Sequence, residues 1–152
     1  MNNRRCFITG IFSTSLSTKE KKFLIKFKPW GIILFSRNIK SIQQTRKLTD
    51  TIKKIFNDKN YPILIDQEGG RVNRLKFFFN TESLTNEYFG KLYSKDFKKF
   101  INYYNTFINK TSLILKLTGI NLNTVPVLDL RVKGSSNVIG DRSYSKNPKI
   151  VS

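Results

Sequence analysis

Histidine is absent from all 152 residues, and cysteine occurs once, at Cys6. Without histidine, this chain cannot build the zinc sites that rely on imidazole, nor any nucleophile activated by a histidine base. Ser143 therefore has no base to activate it, and a serine hydrolase reading fails on this chain. A single thiol excludes an intramolecular disulfide, so the fold must be held by its core. Acids are scarce as well, with 10 Asp plus Glu against 28 Lys plus Arg and a formal charge of +18. No stretch approaches the roughly 18 apolar residues that a membrane-spanning helix needs. The N-terminal MNNRRCFITGIF has the arginines and short apolar run of a weak signal peptide. Thr9 and Gly10 interrupt that run, polar STSLS follows, and the segment reads better as a first strand. The expectation is a soluble, cytoplasmic protein with no membrane partner.

What is present is apolar enough for a core. Hydrophobic residues make up 39% of the chain and aromatics 13%, with thirteen Phe, which separates it from disordered sequences. The length fits one domain of the common size of roughly 100 to 150 residues. The positive charge invites a nucleic-acid reading, but the lysines are dispersed in KEKK at 19–22, KK at 53–54 and KDFKK at 95–99. They fall where helices would show them to water, and no basic stacking motif accompanies them. No specific nucleic-acid partner is expected, and non-specific polyanion binding stays open.

Along the chain, 6–12 reads as a short strand. Ser17 and Glu20 have capping-box spacing, with Phe23, Leu24 and Phe27 on the apolar face of the helix they begin. Pro29 is expected to stop that helix, because it lacks an amide donor. The continuous apolar run 31–35 predicts a strand covered on both faces. Ser41 and Gln44 repeat the capping spacing before a helical stripe of Ile42, Leu48, Ile52, Ile55 and Phe56. A third strand is expected at 62–66. From 67 to about 93 no period survives, and a connection of that length is read as functional. The spacing of Phe97, Phe100, Ile101, Tyr104, Phe107, Ile108 and Leu115 predicts one long helix over 95–117, with Gly119 as its cap. A fourth strand is expected over 120–128, a polar loop over 135–143 and a nascent helix from Asn147.

Strands alternating with helices imply a parallel sheet with right-handed crossovers. An open doubly wound sheet could close on itself at this length, whereas an eight-stranded α/β barrel needs about 250 residues. In either fold the strand C-termini converge on one cleft. Read in order, those tips carry Arg37 and Asn38, then Asp66, Glu68, Gly69, Gly70, Arg71 and Arg74, then Asp129, and lastly Asp141 and Arg142. Asp66 and Asp129 invite a reading as a catalytic carboxylate pair, which a retaining glycosidase holds about 5 to 5.5 Å apart. Acids beside arginines are better suited to accepting hydrogen bonds than to donating protons. Glu68 and Arg71 are explained as well by one loop-bracing salt bridge. Gly69 and Gly70 lack the spacing of a phosphate-binding loop and suit a sharp turn after the strand.

The string ILIDQEGGRVNRL at 63–75 closely resembles the DQEGGRV signature of the β-N-acetylhexosaminidase branch of glycoside hydrolase family 3. GIILFSRN at 31–38, VPVLD at 125–129 and IGDRSY at 139–144 resemble further segments of that family, in the same order. The resemblance spans nearly the whole chain and implies a partial family 3 N-terminal catalytic domain over 1–152. The implied fold class is α/β, the N-terminal half of a TIM-type (β/α)8 barrel with about four βα units. The implied activity is removal of terminal N-acetylglucosamine from muropeptides in peptidoglycan recycling, by a retaining mechanism through a glycosyl-enzyme intermediate, with no metal and no cofactor.

By the same resemblance, Asp66, Arg74 and Arg142 hold the sugar, while Arg37, Glu68 and Asp129 are expected to brace loops. The family's next elements are a Lys-His pair, a loop histidine acting as general acid/base, and an aspartate nucleophile on a later strand. None is in this sequence, so no catalytic residue is assigned to the chain. The expectations are a truncated or divided gene or a partial chain, inactive alone, with a complementing C-terminal half as partner. The alternatives are a non-catalytic saccharide-binding remnant and a basic nucleic-acid-binding domain.

Overall fold

The computed structural model describes residues 3–132, 134 and 136–152. Four strands, β1 (Arg5–Gly10), β2 (Pro29–Leu34), β3 (Ile63–Ile65) and β4 (Leu122–Asn123), form one sheet in the order β1-β2-β3-β4. Every neighbouring pair is parallel, and the connections carry α1 (Thr18–Phe27), α2 (Ile42–Ile55), α3 (Asn86–Lys95) and α4 (Phe97–Thr118). A last turn, α5 (Pro148–Val151), follows. This is the α/β class with four βα units expected from the alternation of elements.

The core lies between the middle strands and the helices. Ile32, Leu34, Ile63 and Ile65 are buried with Leu24, Leu48, Ile52 and Leu115, the burial expected of parallel strands covered on both faces. β1 departs from that pattern, since Ile8 on it and Phe12 just past it are exposed. The opposite margin does so too, with Leu122, Leu128 and Leu130 exposed on and after β4. Apolar surface therefore flanks both open edges of the sheet. No helix among the described residues is long and apolar enough to cross a membrane.

The Ser17–Glu20 capping box is present in full and begins α1. α1 ends one residue earlier than a proline stop would put it, with Lys28 left-handed (φ 46°) and donating its amide to Leu24. The residue before a proline is pushed out of the α region, so Lys28 terminates the helix and Pro29 heads β2. Ser41 caps α2 by accepting from Gln44 N, but Gln44 Oε1 accepts from Lys40 N, so this cap is not reciprocal.

Two larger corrections concern the second half. The segment expected to be aperiodic contains α3, capped by Thr85 and packed on α4. The single long helix expected over 95–117 starts at Phe97, because Asp96 ends α3 and caps α4 in one step. The fourth strand, expected over 120–128, has only two residues in the ladder. A cis Val125–Pro126 bond follows, and proline offers no amide to extend a ladder. The polar loop expected at 135–143 is described from Ser136, and Ser135 lies outside the described residues.

Candidate functional site

β3 runs straight into Asp66, and the next nine residues fold back over its tip. Two side chains organise that return. Asn123, on β4, accepts from Gln67 N (2.9 Å) and donates to Gln67 O (3.1 Å), taking the place of a backbone rung between the strands. The Gln67 side chain is itself buried, and its Oε1 accepts from Arg74 N (2.9 Å) and Leu75 N (3.2 Å). Seven residues of chain are thereby looped so that Arg74 returns beside Asp66. The loop needs its glycine pair: Gly69 and Gly70 both have positive φ, and a Cβ on Gly69 would lie 2.5 Å from the Leu84 carbonyl. Only glycine tolerates both conditions.

Two acid–arginine pairs result. Glu68 is almost fully buried, with 7% of its side chain exposed, and accepts from Arg142 Nε (2.9 Å) and Nη2 (2.8 Å) in the bidentate form that is the strongest of its kind. The hydrogen bonds it donates to Glu68 and the pull of that charge outweigh partial burial and hold the Arg142 guanidinium more firmly protonated than usual, with Asp129 and Asp66 adding to the effect. The second pair, Asp66 with Arg74, is looser. Arg74 Nη2 stands 3.5 Å from Asp66 Oδ2, and both side chains are 28% exposed. Arg74 Nε is buried without a hydrogen-bond partner. The Arg74 guanidinium lies over the Phe35 ring, as does that of Arg37.

The structure thus gathers Asp66, Arg74, Glu68 and Arg142 at the tip of β3, with Asp129 near enough to act on Arg142. Arg37 shares the Phe35 ring with Arg74 but forms no ion pair with these carboxylates among the described residues, and it braces the chain just past β1, donating from Nε to Ile11 O at 3.0 Å. The single salt bridge that would have explained Glu68 and Arg71 together does not form. Arg71 pairs with Asp141 at 2.9 Å and reaches the carbonyls of Asn137, Val138 and Ile139. With Glu68–Arg142 it clamps the loop after β4 onto the loop after β3, each loop giving one acid and one arginine. Ser143 is buried with its hydroxyl 2.6 Å from Asp129 O and 2.9 Å from Ser145 O, a structural role that fixes the backbone behind Asp129.

The clamped loop also rests on α3. Gly90 touches it so closely that a Cβ there would fall 1.8 Å from Tyr144 O. Tyr144 shares a hydrogen bond with Tyr104 (2.9 Å), and burial together with that bond pushes its hydroxyl above the ordinary phenol range. A groove of about 930 Å3 lies on this outer side, lined by Lys91, Lys95, Arg131, Lys146 and Tyr144 among others. Three contributors went unrecognised in the sequence: Gln67, Asn123 and Thr124, whose hydroxyl donates to Asp66 Oδ1. Gln67 lies inside the signature string, but nothing in residue type or spacing shows that Asn123 meets Gln67, or Thr124 meets Asp66, across the sheet.

A four-stranded parallel sheet with helical crossovers and two acid–arginine pairs at the tip of its third strand places the chain in the α/β class, where strand tips are the usual place for a site. The chain belongs to a specific family of that class: the glycosyl hydrolase family 3 N-terminal domain model matches residues 9–152. Over 146 residues it is 34% identical to a beta-hexosaminidase of Hydrogenovibrio crunogenus, covering 96% of this chain and 40% of that protein. A beta-hexosaminidase of Alkalilimnicola ehrlichii is 35% identical over 146 residues, covering 93% of this chain and 40% of its own length. Among solved structures, native NagZ from Neisseria gonorrhoeae superposes with a TM-score of 0.85 at 32% identity, over 97% of this chain and 43% of that one. The same protein in complex with N-trifluoroacetyl-D-glucosamine gives a TM-score of 0.79, with 32% identity and 97% and 44% coverage. The chain therefore spans well under half the length of the relatives it matches.

Proposed function

We propose that this chain supplies the sugar-holding part of a β-N-acetylhexosaminidase site, with Asp66, Arg74 and Arg142 around a terminal N-acetylglucosamine. The observation that carries the reading is the open Asp66–Arg74 pair at the β3 tip, where a carboxylate and a guanidinium stand 3.5 Å apart with both side chains 28% exposed. A sugar presents adjacent hydroxyls and an amide, which such a pair can accept from and donate to. A hydrogen bond to a charged partner contributes about 1.5 to 3 kcal/mol. The naming of the relatives as beta-hexosaminidases and the glucosamine derivative bound by NagZ support this substrate class. The natural ligand on this reading is a muropeptide met in the cytoplasm during peptidoglycan recycling.

Hydrolysis itself needs a proton donor and a nucleophile of the family's kind, and with no histidine in the sequence the donor comes from a complementing C-terminal half. The apolar residues exposed at both sheet edges give that half a surface to cover. Titration of the chain with N-acetylglucosamine, followed by backbone NMR, is expected to give saturable shifts around residues 66, 74 and 142. Wild-type spectra that do not move at any sugar concentration remove the proposal. Co-expression with the C-terminal part of the Hydrogenovibrio crunogenus relative should release chromophore from a chromogenic N-acetylglucosaminide. Sugar binding without any such release leaves a binding-only protein.

A further inference from the structure

We infer that Thr124 is a positioning residue that fixes the carboxylate of Asp66 for its ligand, an inference that rests on the sugar-binding reading above. Thr124 is the first residue past β4, and its amide donates to Ile65 O at 2.9 Å, so its place relative to β3 is set by the sheet. Its hydroxyl donates to Asp66 Oδ1, with Ile65 O a second neighbour at 3.3 Å. Arg74 approaches the other oxygen, Oδ2. Asp66 is therefore held on both oxygens, by the end of one strand on one side and by the returning loop on the other.

An ionised carboxylate offers about four lone-pair directions; here Thr124 takes one on Oδ1, and the Arg74 guanidinium faces Oδ2 at 3.5 Å. The lone pairs left over on the two oxygens are open to a ligand. They are positioned to accept a pair of neighbouring hydroxyls, the pattern a pyranose ring presents. Without the hydroxyl of Thr124 only Arg74 holds the group. The carboxylate then swings about χ1 and χ2 toward the guanidinium, closes the 3.5 Å gap and withdraws from the ligand. The ordering that Thr124 provides in the free protein becomes a cost of binding when it is removed.

The test uses Thr124→Val, which keeps the shape and removes the donor, Thr124→Ser, which keeps the donor, and Asp66→Asn. The expected result is about tenfold weaker N-acetylglucosamine binding in Thr124→Val, near recovery in Thr124→Ser, and no further loss when Thr124→Val is added to Asp66→Asn. Scalar couplings of the Asp66 side chain, read without sugar, should show the same χ1 rotamer in the wild type and in Thr124→Ser, and a different one in Thr124→Val. An unchanged rotamer in Thr124→Val overturns the inference whether or not sugar binds, as does an equal loss of affinity in Thr124→Ser. Full affinity in Asp66→Asn would instead overturn the sugar-binding reading, and the coupling measurement would still decide the role of Thr124.

Discussion

Two acid–arginine pairs sit within a few residues of each other at the tip of β3, and they are built for different ends. Glu68 and Arg142 come from loops 74 residues apart, meet in bidentate form, and leave the acid 7% exposed. Asp66 and Arg74 come from one loop, stand 3.5 Å apart and are each 28% exposed. The first pair commits both Glu68 oxygens and two of the Arg142 nitrogens to each other and joins two loops. The second is longer and leaves both side chains partly open to solvent. Burial costs a charge its hydration and is tolerated only when the partner is complete. The tight pair is therefore a structural clamp, and the open pair is the better placed of the two for the ligand contact proposed above.

The largest effect should follow from Glu68→Ala, which leaves Arg142 without its partner and frees the loop after β4. The expected cost is about 3 kcal/mol of stability, the lower end for a broken buried pair because Arg142 is a quarter exposed. Urea unfolding checks it, and a loss below about 1 kcal/mol would show that the two pairs do not differ in kind. Gly90→Ala reaches the same clamp from behind, since the new Cβ collides with Tyr144 O. About 2 kcal/mol of destabilisation is expected from the forced repacking, with amide exchange accelerated at 140–145 and little changed at 66.

Asp66→Asn should reverse the pattern, with stability within about 1 kcal/mol of wild type because the pair is exposed and long. Sugar affinity should fall about tenfold, since a charged acceptor becomes a neutral one. Calorimetry and unfolding on the same sample separate the two quantities. Arg71→Ala is expected to be the smallest, about 0.5 to 1 kcal/mol, because Arg71 and Asp141 are both well exposed. The loop at 137–139 should loosen, as its carbonyls lose their donor.

Much of the frame was readable from local chemistry. The Ser17–Glu20 box, the Ser41 cap and the buried run of β2 depend on neighbours in sequence, and each appears close to where spacing puts it. α3 was not readable, because its apolar positions Phe89 and Leu92 are too few to set a period and its glycine at position 90 argues against a helix. Contact with Tyr144, far along the chain, is what makes that glycine useful. The shortness of β4 escaped notice because Asn121 and Asn123 replace backbone rungs with side-chain ones, which residue type alone does not announce.

The order of elements, the acids at the strand tips and the exclusion of histidine chemistry follow from the sequence by itself, since each is a matter of which residues are adjacent or absent. Which acid meets which arginine was decided only by the tertiary structure. Charges of opposite sign attract without regard to sequence distance, and the partner each one finds depends on where β3, β4 and the two loops hold their backbones. That is why Glu68 met Arg142 rather than Arg71, and why Asp66 came to share its carboxylate between Arg74 and Thr124.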